Sequence, residues 1–427
     1  MEHLMKISVV GAGYVGLVTG ACFAELGHTV TIINRGSEKV HAINAKKPPI
    51  YEEGLEDLLV RHVGTHLCAS TSYDSVPISD LTFICVGTPP NDDGSANLSS
   101  LEAASKSIGL ALKSAGNYHV IVVKSTVPPG TTENIVLPIV LRESGKSEDE
   151  TGFAMNPEFL REGRAVADFM HPDRIVIGSR DPRSGDAVAE AYKGVSAPII
   201  RTGTAAAEMI KYTSNAFLAT KISFSNEIGN ICKKLGIDVY EVMKGVGLDQ
   251  RIGPHFLNAG AGYGGSCLPK DVSTFISFIE KTCEDPILLR AVAEVNDRQP
   301  GRLVNLLKAH FGNLNKKQIA VLGLAFKDNT DDIRDSCAIP VIKELLDSGA
   351  LVNAYDPMAC TAMKKIFPSL NYCRSAEEAL EGADGCLVMT EWPEFSELDR
   401  EFDRMRHKVV IEGRRILSIP DRQGICW

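Results

Sequence analysis

The stretch Lys6-Ile-Ser-Val-Val10, running without a break into Gly11-Ala-Gly13-Tyr14-Val15-Gly16, decides the fold of the N-terminal part of the chain. Lys6 to Val10 reads as a buried strand, and the apolar pattern after Gly16 continues with helical spacing to about Leu26. Gly27-His28 ends that helix, and Val30 to Ile33 reads as the next strand. The three glycines fall where a tight turn, close approach to a pyrophosphate and helix packing each exclude a side chain. The unit is therefore expected to be the first βαβ of a dinucleotide-binding sheet, with Gly11, Gly13, Tyr14, Val15 and Gly16 at its phosphate end.

Further strands are predicted at Leu81–Val86, His119–Lys124 and Arg174–Gly178, each leading into a loop rich in Gly, Pro, Ser or Thr. Ligands collect at the carboxyl ends of such strands. Ala205 to Leu235 turns helical for about 30 residues, or roughly 45 Å, a length that suits a dimer interface or a domain bridge. From Leu314 a second alternation begins. It has strands at Gln318–Leu322, Leu351–Tyr355, Asp384–Met389 and Lys408–Ile411 and a helix from about Ser336 to Leu346, but no glycine fingerprint. The class is α/β. The expected architecture is an N-terminal Rossmann domain (1–200), a central helical dimerisation segment with the long helix (201–298) and a C-terminal Rossmann-like domain (299–427).

The 427 residues carry a net charge of −9 and a pI near 5.7, which favours neither nucleic acid nor an anionic membrane as partner. No apolar run approaches the ~18 residues of a membrane span, and the first residues lack a signal-like apolar region, so a cytoplasmic protein is expected. The eleven cysteines are scattered and form no Cys-x-x-Cys pair, so neither a disulfide framework nor a metal site is expected.

One of those cysteines stands out. Cys267 lies in Gly262-Tyr-Gly-Gly-Ser-Cys-Leu-Pro-Lys-Asp271, a glycine-rich segment expected to be a polar, flexible loop in which the Lys270 ammonium would favour a thiolate. A hydride-accepting cofactor with a nearby thiol can trap an aldehyde as a thiohemiacetal and oxidise it again to a thioester. Lys211 and Asn215, four apart, share a helix face suited to an oxyanion, although a solvated face would look the same. Asn156-Pro-Glu158-Phe159-Leu160-Arg-Glu162-Gly163 carries two carboxylates, a pattern shared with an acid-rich helix start. Ser125-Thr126-Val-Pro-Pro-Gly130 reads as a strand-end loop bearing a hydroxyl, or as a plain turn. After the second strand, where an acid usually holds the ribose 2′-hydroxyl of NAD, stand Asn34-Arg35-Gly36-Ser37. Arg35 and Ser37 suit the 2′-phosphate of NADP; alternatively Arg35 stacks on adenine while Asn34 bonds the ribose. NAD and NADP both remain open.

Gly11–Gly16, Gly87-Thr88-Pro89, Ser125–Gly130, Asn156–Gly163, Glu208–Asn215, Gly262–Asp271 and Gly323–Arg334 together resemble, in order, the motifs of the nucleotide-sugar 6-dehydrogenases. Asp249-Gln-Arg251-Ile-Gly-Pro-His-Phe256-Leu257 is most similar to the branch that oxidises UDP-glucose. The Ser266–Asp271 string and the ending Gly424-Ile-Cys-Trp427 also resemble the GDP-mannose branch. The resemblance implies that Cys267 attacks an aldehyde, Lys211 and Asn215 hold oxyanions, Asp271 with a water acts as base, and Glu158 with Thr126 assists thioester hydrolysis. It further implies a cofactor site of Gly11, Gly13, Tyr14, Val15, Gly16, Asn34, Arg35, Ser37, Lys39, Thr88, Thr126, Glu162, Lys270 and Arg334. The sugar nucleotide would meet Glu158, Phe159, Leu160, Glu162, Lys211, Asn215, Phe256, Leu257, Gly264, Phe326 and Lys327, the last near the pyrophosphate. Arg251 would reach the sugar of a neighbouring subunit in a homodimer or larger homo-oligomer. Most members carry Asp where this chain has Asn34. Two other classes share part of the pattern. A two-electron β-hydroxyacid dehydrogenase would have no use for Cys267 or a third domain, and a non-catalytic sensor would be expected to lack Cys267, Lys211 or Glu158.

Overall fold

The computed structural model describes residues 4–420 and 422–427. The chain divides into two compact units, Met1–Ser214 and Asn215–Trp427. The first is built on eight strands: β1 (Lys6–Val10), β2 (Thr29–Ile33), β3 (Leu67–Ser70), β4 (Leu81–Ile84), β5 (His119–Val123), β6 (Thr151–Met155), β7 (Ile175–Ser179) and β8 (Ile199–Thr202). They lie in the order β3-β2-β1-β4-β5-β6-β7-β8, parallel except where β6 meets β7. The first six strands therefore follow the dinucleotide-binding order.

Helices cover both faces of the central strands, so successive residues go to opposite cores. Val9, Phe83, Val122 and Ala154 join one core, with Phe23 at its centre. Val10, Ile84, Ile121 and Met155 join the other. This is why β4 and β5 are buried on both faces and mainly apolar. Strands β3, β6 and β8 carry no apolar run: Leu67-Cys-Ala-Ser70 and Thr151-Gly-Phe-Ala-Met155 are short and mixed, and the β8 isoleucines lie exposed on the sheet edge. Their pairing with neighbours makes them strands.

The second unit begins within the long helix Thr204–Leu235. Helices Val239–Gly247, Leu268–Lys281 and Ile287–Phe311 follow; the last continues through Pro300, so position 298/299 falls inside a helix. The second sheet comprises β9 (Gln318–Leu322), β10 (Leu351–Tyr355), β11 (Asn371–Tyr372), β12 (Gly385–Val388), β13 (Val409–Glu412) and β14 (Gln423–Gly424). It is wholly parallel, in the order β11-β10-β9-β12-β13-β14. It repeats the start of the first sheet in detail. Gly11 N–H donates to Ile33 O at 2.8 Å and Gly323 N–H to Tyr355 O at 2.8 Å. Both glycines have positive φ, +115° and +94°, a conformation that disfavours a side chain. Among the described residues no helix is long and apolar enough to cross a membrane.

Candidate active site

In the first unit, the glycine turn opens a cavity of about 240 Å³ lined by residues that include Gly11, Gly13, Asn34, Arg35, Tyr73 and Gly87. A Cβ on Gly11 would lie 2.6 Å from Cys85 O, and one on Gly16 would lie 1.9 Å from Gly11 O, so both positions must lack a side chain. Asn34 is committed at both ends: Oδ1 accepts from Ala12 N–H at 3.3 Å and Nδ2 donates to Gly36 O at 3.2 Å. Lys39 Nζ donates to Ala12 O at 3.3 Å. Arg35 is exposed and forms no ion pair among the described residues. Tyr73, which sequence reasoning did not single out, lines the same cavity.

Ser125–Gly130 is more than a plain turn. Thr88 Oγ1 donates to Thr126 O at 2.8 Å, and Ser125 Oγ to Val86 O at 2.6 Å. Glu208, in the first turns of the long helix, accepts from Gly130 N–H at 2.5 Å, Thr132 N–H at 2.8 Å and Thr132 Oγ1 at 2.6 Å. Burial nevertheless pushes the Glu208 carboxyl up to about 7. The sequence pattern placed Glu208 in a motif but gave it no task.

The face of Lys211 and Asn215 is buried, which corrects the solvated-face alternative; the two side chains are 4% and 6% exposed. Lys211 Nζ pairs with Glu158 Oε1 at 3.0 Å. Asn156–Gly163 is an extended loop after β6, not a helix start, because its polar groups are spent on loop geometry. Asn156 N–H donates to Val123 O, Asn156 Nδ2 to Val176 O, and Glu158 Oε2 accepts from Leu160 N–H at 2.5 Å. Buried Glu52 caps the far end, accepting from Gly163 and Ala165 N–H at 2.8 and 2.6 Å. Phe159, Leu160 and Glu162 project from this loop half-buried. Buried Lys124 donates to Asn156 Oδ1 and Tyr192 Oη, both at 2.9 Å. Glu52, Lys124 and Glu208 were missed because a buried charge has no local pattern; its partners come from distant segments.

Burial alone would raise the Glu158 carboxyl. The Lys211 ammonium, the Leu160 N–H and the Lys124 ammonium together hold it below the usual carboxylate range. The stability it contributes is therefore present above the ordinary carboxylate pKa and lost as pH falls through the lowered value. Lys211→Met should cost about 3–5 kcal/mol near pH 7, because it strands a buried carboxylate. That cost should shrink toward pH 5 as Glu158, freed to follow its burial, takes up a proton. Urea unfolding midpoints of the two proteins at pH 7 and pH 5 check this, and a gap that does not change with pH would count against it.

In the second unit, Cys267 is the residue before helix Leu268–Lys281, exposed at its N-terminus. The glycine segment before it is braced, which corrects the expectation of a flexible loop. Ala261 N–H donates to Gly413 O at 2.8 Å, Gly265 N–H to Arg334 O at 2.9 Å, and Arg414 Nη2 to Gly262 O at 2.5 Å. A Cβ on Gly264 would lie 2.2 Å from Asp335 O, and one on Gly265 2.6 Å from the Phe326 ring. Asp271, one turn past the sulfur, is 1% exposed and accepts from Asn215 Nδ2 at 2.5 Å. Lys270 forms an ion pair with Asp271. Arg251 pairs with Asp249 on the surface, and Arg334 with Asp332. Leu257 is buried, while Phe256 is exposed with φ +62°, a costly conformation for an aromatic residue. Lys327 Nζ lies 5.6 Å from the Phe326 ring centroid.

A glycine-turn Rossmann sheet, an exposed thiol at a helix N-terminus and a buried Lys–Glu pair define a dinucleotide-dependent oxidoreductase. Residues 5–196, 205–298 and 320–419 match the NAD binding, central and UDP binding domains of the UDP-glucose/GDP-mannose dehydrogenase family. The chain belongs to that family, which oxidises nucleotide sugars to uronic acids. It is 47% identical to a UDP-glucose 6-dehydrogenase of Haloferax volcanii over 99% of both chains. A UDP-glucose dehydrogenase structure from Pyrobaculum islandicum superposes with a TM-score of 0.95 at 43% identity, covering 100% of this chain and 98% of the other. A GDP-mannose dehydrogenase of Pseudomonas aeruginosa gives a TM-score of 0.58 at 33% identity, covering 99% and 100%.

Proposed function

We propose that the protein oxidises the 6-hydroxymethyl group of UDP-glucose to a carboxylate in two hydride transfers: UDP-glucose + 2 NAD(P)⁺ + H₂O → UDP-glucuronate + 2 NAD(P)H + 3 H⁺. The observation that carries the reading is Cys267, exposed at a helix N-terminus whose partial positive charge favours an anionic sulfur, one turn from the Asp271–Asn215 pair. The preference for UDP-glucose over GDP-mannose is supported by the higher identity and closer superposition of the UDP-glucose relatives.

The nicotinamide supplies the hydride acceptor in both oxidations, and the glycine turn with its cavity fits such a dinucleotide. In the first oxidation Asp271, through a water, takes the hydroxyl proton while Lys211 and Asn215 stabilise the alkoxide. Cys267 then adds to the aldehyde; the thiohemiacetal holds the reactive carbon until the second hydride has left. Glu158, ionised at neutral pH, deprotonates the water that cleaves the thioester, with Thr126 orienting it. As Lys211 is drawn toward the tetrahedral oxyanion, its hold on Glu158 weakens and the carboxylate becomes the stronger base when a base is needed. Phe159, Leu160 and Glu162 would flank the sugar, and Lys327 would meet the pyrophosphate. The chain would act as a homodimer, with Arg251 contributing to a neighbouring site and the segment 201–298 forming the interface. Phe217, Phe224 and Ile231, exposed at seven-residue spacing along the long helix, give that segment a face that a second copy would cover.

The test is the number of reduced cofactors per sugar. Two per UDP-glucose consumed, with UDP-glucuronate as product, is expected; one, with aldehyde released, would end the proposal. The same assay run with each coenzyme tests the turn after β2. With Asn34 spent on the backbone, this turn places no acid where the ribose is usually held, and Arg35 and Lys39 bring two cations. If Arg35 and Ser37 grip a 2′-phosphate, the protein should use NADP⁺ at least as well as NAD⁺. Arg35→Ala should raise the KM for NADP⁺ roughly 10–100-fold, the worth of one charge-assisted contact to a 2′-phosphate. A strong NAD⁺ preference, with Arg35→Ala weakening both coenzymes alike, would leave Arg35 only as an adenine platform.

A further inference from the structure

Asp356 directly follows β10, the position that Asn34 holds after β2 in the first sheet. A carboxylate at this place in a dinucleotide site faces the ribose. Here it faces inward, 3% exposed, and is saturated by five donors. Its Oδ2 accepts from Leu324 N–H at 2.7 Å, Ala325 N–H at 3.0 Å and Trp392 Nε1 at 3.1 Å. Its Oδ1 accepts from Met358 and Ala359 N–H, each at 2.8 Å. Asn34 makes only the counterpart of the first of these, to Ala12 N–H.

The loop that Asp356 grips leads directly to Phe326 and Lys327. Its carbonyls are tied as well: Ser336 Oγ donates to Leu324 O at 2.7 Å and Thr390 Oγ1 to Ala325 O at 2.8 Å. Few groups remain free to move between Gly323 and Phe326. We propose that Asp356 is a positioning residue for the nucleotide end of the substrate: by bracing residues 324–325 it fixes the Phe326–Lys327 step that receives the pyrophosphate. The inference rests on the proposed role of Lys327.

Calorimetric titration of the full-length protein with UDP, and separately with NAD⁺, tests this. Asp356→Asn puts an amide N–H₂ against donors the carboxylate accepted, and should weaken UDP binding about tenfold or more while leaving NAD⁺ affinity within about twofold. Trp392→Phe, which withdraws one of the five donors and keeps an aromatic side chain, should weaken UDP by a smaller factor in the same direction. It carries the test if Asp356→Asn does not fold. Unchanged UDP affinity in a folded variant, or equal loss of both ligands, would overturn the proposal. Lys327→Ala separates the two readings. Loss of UDP affinity in Lys327→Ala but not in Asp356→Asn overturns the brace alone, and loss in neither overturns the assignment of Lys327 with it.

Discussion

Replacing Cys267 by serine should reduce formation of the acid by about 10³-fold or more while leaving dinucleotide affinity intact. The substitution changes one atom at an exposed helix N-terminus, so the fold should not register it. The chemistry should. A serine hydroxyl is far less ionised than a thiol at neutral pH, so addition to the aldehyde slows. An alkoxide is also a poorer leaving group than a thiolate, so any ester that formed would resist hydrolysis. The measurement pairs product analysis with NAD⁺ titration. Acid formation by the serine variant at the native rate would remove the covalent mechanism.

The second large effect is expected at Glu158. Glu158→Gln keeps the shape and an oxygen for the Leu160 N–H but removes the base. Loss of general-base assistance costs on the order of 10²–10⁴ in rate, and here it should fall on thioester hydrolysis. Hydride transfer should continue until Cys267 is acylated, giving a burst of reduced cofactor followed by a stall. Intact-protein mass spectrometry should then find the uronyl adduct, confined to the peptide containing Cys267. Because the variant also leaves the buried Lys211 ammonium without its carboxylate, its unfolding midpoint should be measured alongside. A folded variant that turns over at the native rate, with no adduct, would move the base elsewhere.

The two sites were legible to different degrees. Lys6–Gly16 could be read directly because strand, turn and helix each impose a local requirement: apolar residues, positive φ at Gly11 and no side chain at Gly16. The same holds for β9 and β10, whose bounds match the expected ones. Cys267 stood out by its neighbours, yet the same glycines suggested flexibility. A run of glycines says only that side chains are missing; whether the space is open or filled by Asp335 O and the Phe326 ring depends on residues 71 and 61 positions away.

From its sequence alone, this chain determined the two alternating α/β regions, the long helix between them, the glycine turn and the candidate residues Lys211, Asn215, Glu158, Cys267 and Asp271. Each of these is encoded in periodicity, in a conformational need or in a resemblance spread along the chain. Only the tertiary structure decided which face of the long helix is buried, that Glu158 is paired with Lys211 and held ionised, and that Glu52, Glu208 and Asp356 are spent on loop N–H groups. The reason is physical. A carboxylate reads the same in sequence whether it is solvated or saturated, and its cost or value is set by burial and by donors that arrive from elsewhere in the chain.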